Sequence, residues 1–135
     1  MGAFSNYLEN AIVESVLRNG TALSVANVYV GLYESDPTEA TPGGTETSYT
    51  GYTRQAATWT PIDTNTGQTS NSNALTFPAN GNASAAVTIT HIVLFDNSVV
   101  GAGNRLFYAA LAAPKTLSPG DTLSFAVGAI VFGID

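Results

Sequence analysis

Residues 28–37, VYVGLYESDP, decide the fold class. Val28, Val30 and Leu32 alternate with Tyr29, Gly31 and Tyr33, a period of two that puts the aliphatic side chains on one face of an extended strand. Glu34-Ser35-Asp36-Pro37 then closes the run with a turn signal. Downstream, β-branched and aromatic residues predict further strands over residues 52–61, 74–77, 85–95, 105–112 and 122–134. Gly101-Ala102-Gly103-Asn104 reads as a hairpin connection. Ser118-Pro119-Gly120-Asp121 reads as a turn, because Pro presets φ and Gly accepts the positive one. With no helices available as crossovers between parallel strands, the pairing is expected to be antiparallel.

Upstream of this run the period changes. Over residues 4–18, Phe4, Leu8, Ile12, Val13, Val16 and Leu17 fall along one side of a helix, with Glu9, Asn10, Glu14 and Arg18 on the other. Asn6 with Glu9 reads as its cap, Glu14 and Arg18 as an i,i+4 pair, and Asn19-Gly20 as a left-handed stop. The apolar stripe is expected to cover the protein's own core. A neighbouring subunit is the alternative, and it makes Leu8, Ile12 and Val16 candidate contact residues. The reading is a mainly β protein: an antiparallel β-sandwich or jelly-roll-like domain with one N-terminal amphipathic helix. The 135 residues fit a single domain, with the helix at 4–18 and the sandwich at 27–135.

Charge and composition exclude several functions. The net charge is −6, with four basic side chains against ten acidic ones, so phosphate backbones and anionic membranes are disfavoured and neither nucleic acid nor membrane is expected as a partner. No stretch reads as a secretory signal or a bilayer span. One histidine, one lysine and no cysteine leave little for acid–base or nucleophilic chemistry, so no catalytic, cofactor or metal residue is expected. His91 lies in the alternation of Val87, Ile89, Val93 and Phe95, the pattern of a core or interface histidine.

Two segments, 35–51 and 62–73, are polar, rich in turn residues and not expected to pack in the core. In the first, Glu34, Asp36, Glu39 and Glu46 read as a solvated acidic loop, with Ca²⁺ the alternative ligand. Tyr49, Tyr52 and Trp59 are candidates for stacking on a sugar or anchoring a partner, although Trp59 fits a sandwich-filling position. Asp36, Glu39, Glu46 and Tyr49 are the loop's candidate contact residues.

Five segments in order, SNYLENAIVESVLRNG, VYVGLYESDPTE, GYTRQAATWTP, THIVLFDN with LFYAAL, and KTLSPGDTLSFAVGAIVFGID, resemble small virion proteins of tailed bacteriophages and prophages, often labelled tail fibre proteins. The resemblance implies a non-enzymatic structural protein located in the virion, whose partners are other virion proteins, the major capsid protein or tail proteins. A homo-oligomer is expected. Because the chain carries none of the repeats with which a fibre extends, it reads first as a capsid-decorating (cement) protein. A tail fibre or baseplate attachment protein is the close alternative. A carbohydrate-binding module at the tail tip comes next, and a glycan hydrolase well behind.

Overall fold

A computed structural model describes residues 2–40 and 42–134. In chain order they form β1 (Ala3–Phe4), α1 (Asn6–Leu17), β2 (Val28–Tyr33), β3 (Gln55–Ala57), β4 (Gln68–Ser70), β5 (Leu75–Thr76), β6 (Val87–Phe95), β7 (Arg105–Leu117), β8 (Ser124–Phe125) and β9 (Val131–Gly133). Five of them make one antiparallel sheet in the order β1-β7-β6-β2-β3. Two ribbons, β4-β9 and β5-β8, are also antiparallel. The principal core joins Val30, Leu32, Ile89, Ile92 and Leu94 of the sheet to Leu75, Phe77, Leu123 and Ile130 from the ribbon side, which is the layered packing of a sandwich.

The VYVGLY run behaves as its alternation requires. Val30 and Leu32 enter the principal core, whereas Tyr29 and Tyr33 turn to the opposite face and meet Val93, Phe95 and Tyr108. The alternation in β6 is different. Ile89 pairs with Lys115 but His91 pairs with Ala110, so two residues of β6 advance against five of β7. This bulge reverses the faces: Val87 and Ile89 share the principal core with Ile92 and Leu94, while Val93 and Phe95 lie on the outer face. The single face expected to carry Val87, Ile89, His91, Val93 and Phe95 is therefore split at Thr90.

Two expected strands are interrupted. Over residues 52–61 only Gln55–Ala57 pairs as a strand, and over 122–134 the run breaks into β8 and β9 around Gly128, whose φ is +79°. Gly128 N–H and Ile130 N–H both donate to Asn71, at the carbonyl (2.9 Å) and at Oδ1 (2.8 Å), while its Nδ2 donates to the carbonyls of Asn73 and Ala126. Asn71 is fully buried, so the segment 62–73, expected to be entirely loop, contains both strand β4 and a core residue. Asn80 acts the same way: its Nδ2 donates to the carbonyls of Ala85 and Leu117, and its own carbonyl accepts from Gly120 N–H. Buried main-chain groups must find partners, and where the ribbons are too short to supply ladders these two side chains do so.

The helix begins one step earlier in function than its sequence suggests. Ser5, not Asn6, is the N-cap, accepting from Leu8 N–H at 3.2 Å. Phe4 lies before the helix in β1, paired with Phe107. Ser5 is chosen because its hydroxyl also donates to the Arg105 carbonyl, so one buried side chain caps the helix and ties it to β7. At the far end Asn19 takes φ +51° and Gly20 N–H returns to the Glu14 carbonyl, the expected left-handed stop, and Arg18 pairs with Glu14 at 2.9 Å. Only the first half of the stripe is covered: Leu8 is buried and Ile12 partly so, but Val16 and Leu17 are 72% and 77% exposed.

Ser5→Ala is expected to destabilise the fold by about 1–2 kcal/mol, the cost of a lost cap, and more than Asn6→Ala. Urea unfolding followed by circular dichroism compares the two variants. Equal effects would place the cap at Asn6.

Candidate functional site

The polar segment 35–51 folds back alongside β2. Its far limb pairs with that strand, through Tyr33 with Glu46, Glu34 N–H to the Thr45 carbonyl and Thr47 N–H to the Leu32 carbonyl. Pro37, Thr47 and Tyr49 are buried, in contrast to the open loop expected from composition. Pairing with β2 supplies the hydrogen bonds that a polar segment otherwise takes from water.

Two arginines hold this layer. Arg54 makes a bidentate pair with Glu46, Nε to Oε1 and Nη2 to Oε2 at 2.8 Å each, and its Nη1 donates to the carbonyls of Asn97 and Ala102. Its guanidinium lies 3.4 Å from the centroid of the Phe95 ring, a cation–π contact away from water. Arg105 donates through Nη1 to the carbonyls of Pro37 (2.7 Å) and Gly43 (2.8 Å), and through Nη2 to that of Ala40. Both arginine residues are more than nine-tenths buried.

Tyr52 completes the arrangement. Its hydroxyl donates to Glu46 Oε1 and accepts from Leu32 N–H, both at 2.9 Å. Burial raises its pKa well above the ordinary phenol value, and the Glu46 charge raises it further. Burial likewise raises Tyr33, with Glu46 adding to the shift, and raises Tyr49. Gly31 makes room for all of them: a Cβ there would lie 2.9 Å from both Glu46 Oε1 and the Phe95 ring, and 3.3 Å from the Tyr52 hydroxyl. A glycine inside a strand is the sequence mark of such an approach, and it is the signal in VYVGLY that points to this site.

The residues singled out from sequence separate into different environments. Glu46 is the partner of Arg54, and Tyr49 is buried with its hydroxyl on the Pro78 carbonyl at 2.8 Å. Asp36 and Glu39 are exposed, Asp36 accepting from Thr38 N–H, and after burial their charges are the main cause raising the Tyr108 pKa. Leu8 and Ile12 face the core and Val16 faces solvent. Trp59 is partly buried against the core, its Nε1 lacking a partner, beside an apolar cavity of about 250 Å³ that Leu8, Val28 and Phe132 also line. His91 Nδ1 lies 2.8 Å from Thr90 Oγ1. Among the described residues no group of three or more His, Cys, Asp or Glu side chains is placed to hold a metal ion, and no helix is long and apolar enough to cross a membrane. Arg54 and Arg105 entered the sequence reading only through the charge count, although they are half of the chain's four cations.

Among the described residues, the buried arginine and asparagine side chains of this β-rich layered body bond its own loops and turns. The chain belongs to the family described as podophage GP4 fiber I protein gp80, whose model matches residues 3–133. It is thus a structural protein of the bacteriophage virion, of the tail fibre kind, and the family backs the fibre alternative above the capsid-cement reading. A search of the curated proteins finds no match.

Removing one partner of the buried pair leaves an uncompensated charge, so Glu46→Gln is expected to cost about 3–5 kcal/mol. Glu46→Gln combined with Arg54→Met should cost less than Arg54→Met and Glu46→Gln summed, as read in a double-mutant cycle. Additive losses would mean that the pair is not the organising contact. Tyr33, Tyr49 and Tyr52 have folded-state pKa values above the unfolded value of 10.0, so folding favours their neutral forms. Their contribution is full below about pH 10 and is lost as pH rises through the folded values. Melting temperature should therefore fall above about pH 10, with a shallower fall in Tyr52→Phe, which is itself about 1–3 kcal/mol less stable at neutral pH because Leu32 N–H loses its acceptor.

Proposed function

We propose that this protein is a non-enzymatic subunit of a phage tail fibre or its attachment apparatus, acting as one compact domain that docks onto other virion proteins and assembles with copies of itself. The family match over residues 3–133 carries the reading. The fold supports it: the one histidine bonds to a neighbouring threonine, and among the described residues no group of three or more His, Cys, Asp or Glu side chains is gathered to hold a metal ion, so what the protein offers a partner is surface. A small domain gains holding strength from repeated attachment more than from a single contact.

The exposed end of α1 is the docking face this reading favours. Val13, Val16 and Leu17 project from the half of the helix that the sheet does not cover, 48%, 72% and 77% exposed. Apolar side chains grouped on a surface mark an interaction site. Asp36 and Glu39, exposed on the folded-back segment, form a second, acidic contact candidate for a basic partner surface. Glu46, Tyr49 and Leu8 act in this picture by holding those surfaces in place.

Immunogold labelling of virions and quantitative mass spectrometry test the location. Gold at the tail, with a copy number that follows tail symmetry, is the expected result; gold over the head with a copy number matching the capsomers would restore the cement reading. Val16→Asp with Leu17→Asp should leave circular dichroism and melting temperature nearly unchanged, since both sites are solvent-exposed. The same variant should lower incorporation into particles. Normal incorporation would remove the helix end from the interface.

A further inference from the structure

Strand β7 outruns the strands beside it. Among the described residues β1 pairs only with Phe107 and Tyr108, and on the other side the β6 ladder passes from Ala110 to Lys115 with none of residues 111–114 paired. Residues 109–113 of this stretch read Ala-Ala-Leu-Ala-Ala, so little side chain rises from it. Beside it lies a groove of about 580 Å³, lined by this run together with Leu123, Phe125 and Val131. That volume falls in the range of roughly 300–1,000 Å³ that accepts a group of side chains or a compact ligand.

Charge marks the groove out. Among the described residues its lining has Lys115 and no acidic side chain, in a chain with ten acids and four bases. A protein whose exterior is acidic offers such a surface to an acidic, apolar partner.

The complement is on the same chain. In α1, Glu9, Val13, Val16 and Leu17 are spaced i, i+4, i+7 and i+8, so they share one stripe, and all four are exposed. Because they face solvent, they do not fill the groove of their own chain. The stripe is apolar with an acid at one end, and the groove is apolar with a base at one end. Two such stripes set against one another would leave Glu9 without an opposite charge.

We propose that the exposed stripe of α1 in one copy docks in the β7 groove of a second copy, with Glu9 against Lys115. This rests on the reading that the protein assembles with copies of itself, and it names the two surfaces that meet. The apolar side chains supply the contact, and the charge pair sets its direction. Since the surfaces differ, the contact runs head to tail: it closes into a ring where the rotation allows and otherwise continues as a filament.

The chain has no cysteine, which makes cross-linking selective. Val16→Cys and Ala112→Cys, both at exposed sites, are made in separate full-length chains, one of them isotopically labelled, then mixed and treated with a short bis-maleimide. The mixture should give 16-to-112 dimers, each with one labelled and one unlabelled chain, in excess over the dimers either variant gives alone. Lys115→Glu added to the Ala112→Cys chain should lower the yield about fivefold, the upper worth of an exposed ion pair. Glu9→Lys in the Val16→Cys chain should restore it. Circular dichroism identifies any charge variant that fails to fold, and the mixture of singly substituted chains decides the matter without them. Dominant 16-to-16 dimers would mean that helix ends meet each other, and dominant 112-to-112 dimers that β7 edges pair; either overturns the proposal. So does a mixture that yields no more than its separate components, the result expected if the groove holds a different virion protein or a small ligand. Gold at the tail with no 16-to-112 product would leave the fibre reading standing, whereas the product in a protein found on the head would remove that reading and leave the contact.

Discussion

The contact on which the outer layer depends is the two-pronged pair of Arg54 with Glu46, set over Gly31 and stacked on Phe95. Taking two charges out of water costs several kcal/mol per ion, and their attraction repays this only when geometry is good and the remaining donors are satisfied. Both conditions hold here: two parallel bonds of 2.8 Å, with the last Nη1 protons on the Asn97 and Ala102 carbonyls. Three separate pieces of chain therefore meet at one side chain: the folded-back segment, the start of β3 and the β6–β7 turn. An apolar substitute could fill the same volume. It could not accept from Tyr52 or bond two turn carbonyls, so the pair specifies an arrangement as much as it stabilises one.

Arg105 extends the same logic from the start of β7. Its main chain anchors the helix cap through Ser5, while its side chain gathers carbonyls of the segment 37–43. Helix α1, β7 and the polar segment are thus fixed relative to one another by one residue. Asn71 and Asn80 do the corresponding work on the ribbon side, where strands of two or three residues leave main-chain groups without ladder partners. Regular pairing and side-chain substitutes for it divide the protein between them.

This division explains what the sequence disclosed. Period-two patterns in β2, β6 and β7 are long enough to read, and so were the helix, its left-handed stop and the turn at Ser118–Asp121, where Asp121 N–H returns to the Ser118 carbonyl. The broken strands were not legible, because Val131 and Phe125 look continuous until Gly128 is known to bend toward Asn71. The bulge opposite Thr90 left no mark either, as its cause is a count of residues in a partner strand. Polar composition misled most at 35–51: Glu46 reads as a surface acid unless Gly31 and Arg54 are read with it, and Tyr49 as an exposed ring unless its bond to Pro78 is known. Single-residue chemistry is local, whereas burial depends on which distant cation or carbonyl folds against it.

Taking Arg54 and Arg105 inside has a consequence for the exterior. With Glu46 they remove a net positive charge from the surface, so what a partner meets is more acidic than the chain's net −6. Of the other two cations, Arg18 is paired with Glu14 and Lys115 lies on the exposed stretch of β7. Copies of such a surface repel one another at long range, over a Debye length of about 8 Å at physiological ionic strength. Self-association must then rely on uncharged contact, and the end of α1, where Val13, Val16 and Leu17 are exposed, is a place that offers it. For the self-assembly proposed above, charge would keep copies apart until short-range apolar burial outweighs it, which favours assembly on an ordered particle, where neighbours are held in register, over association free in solution.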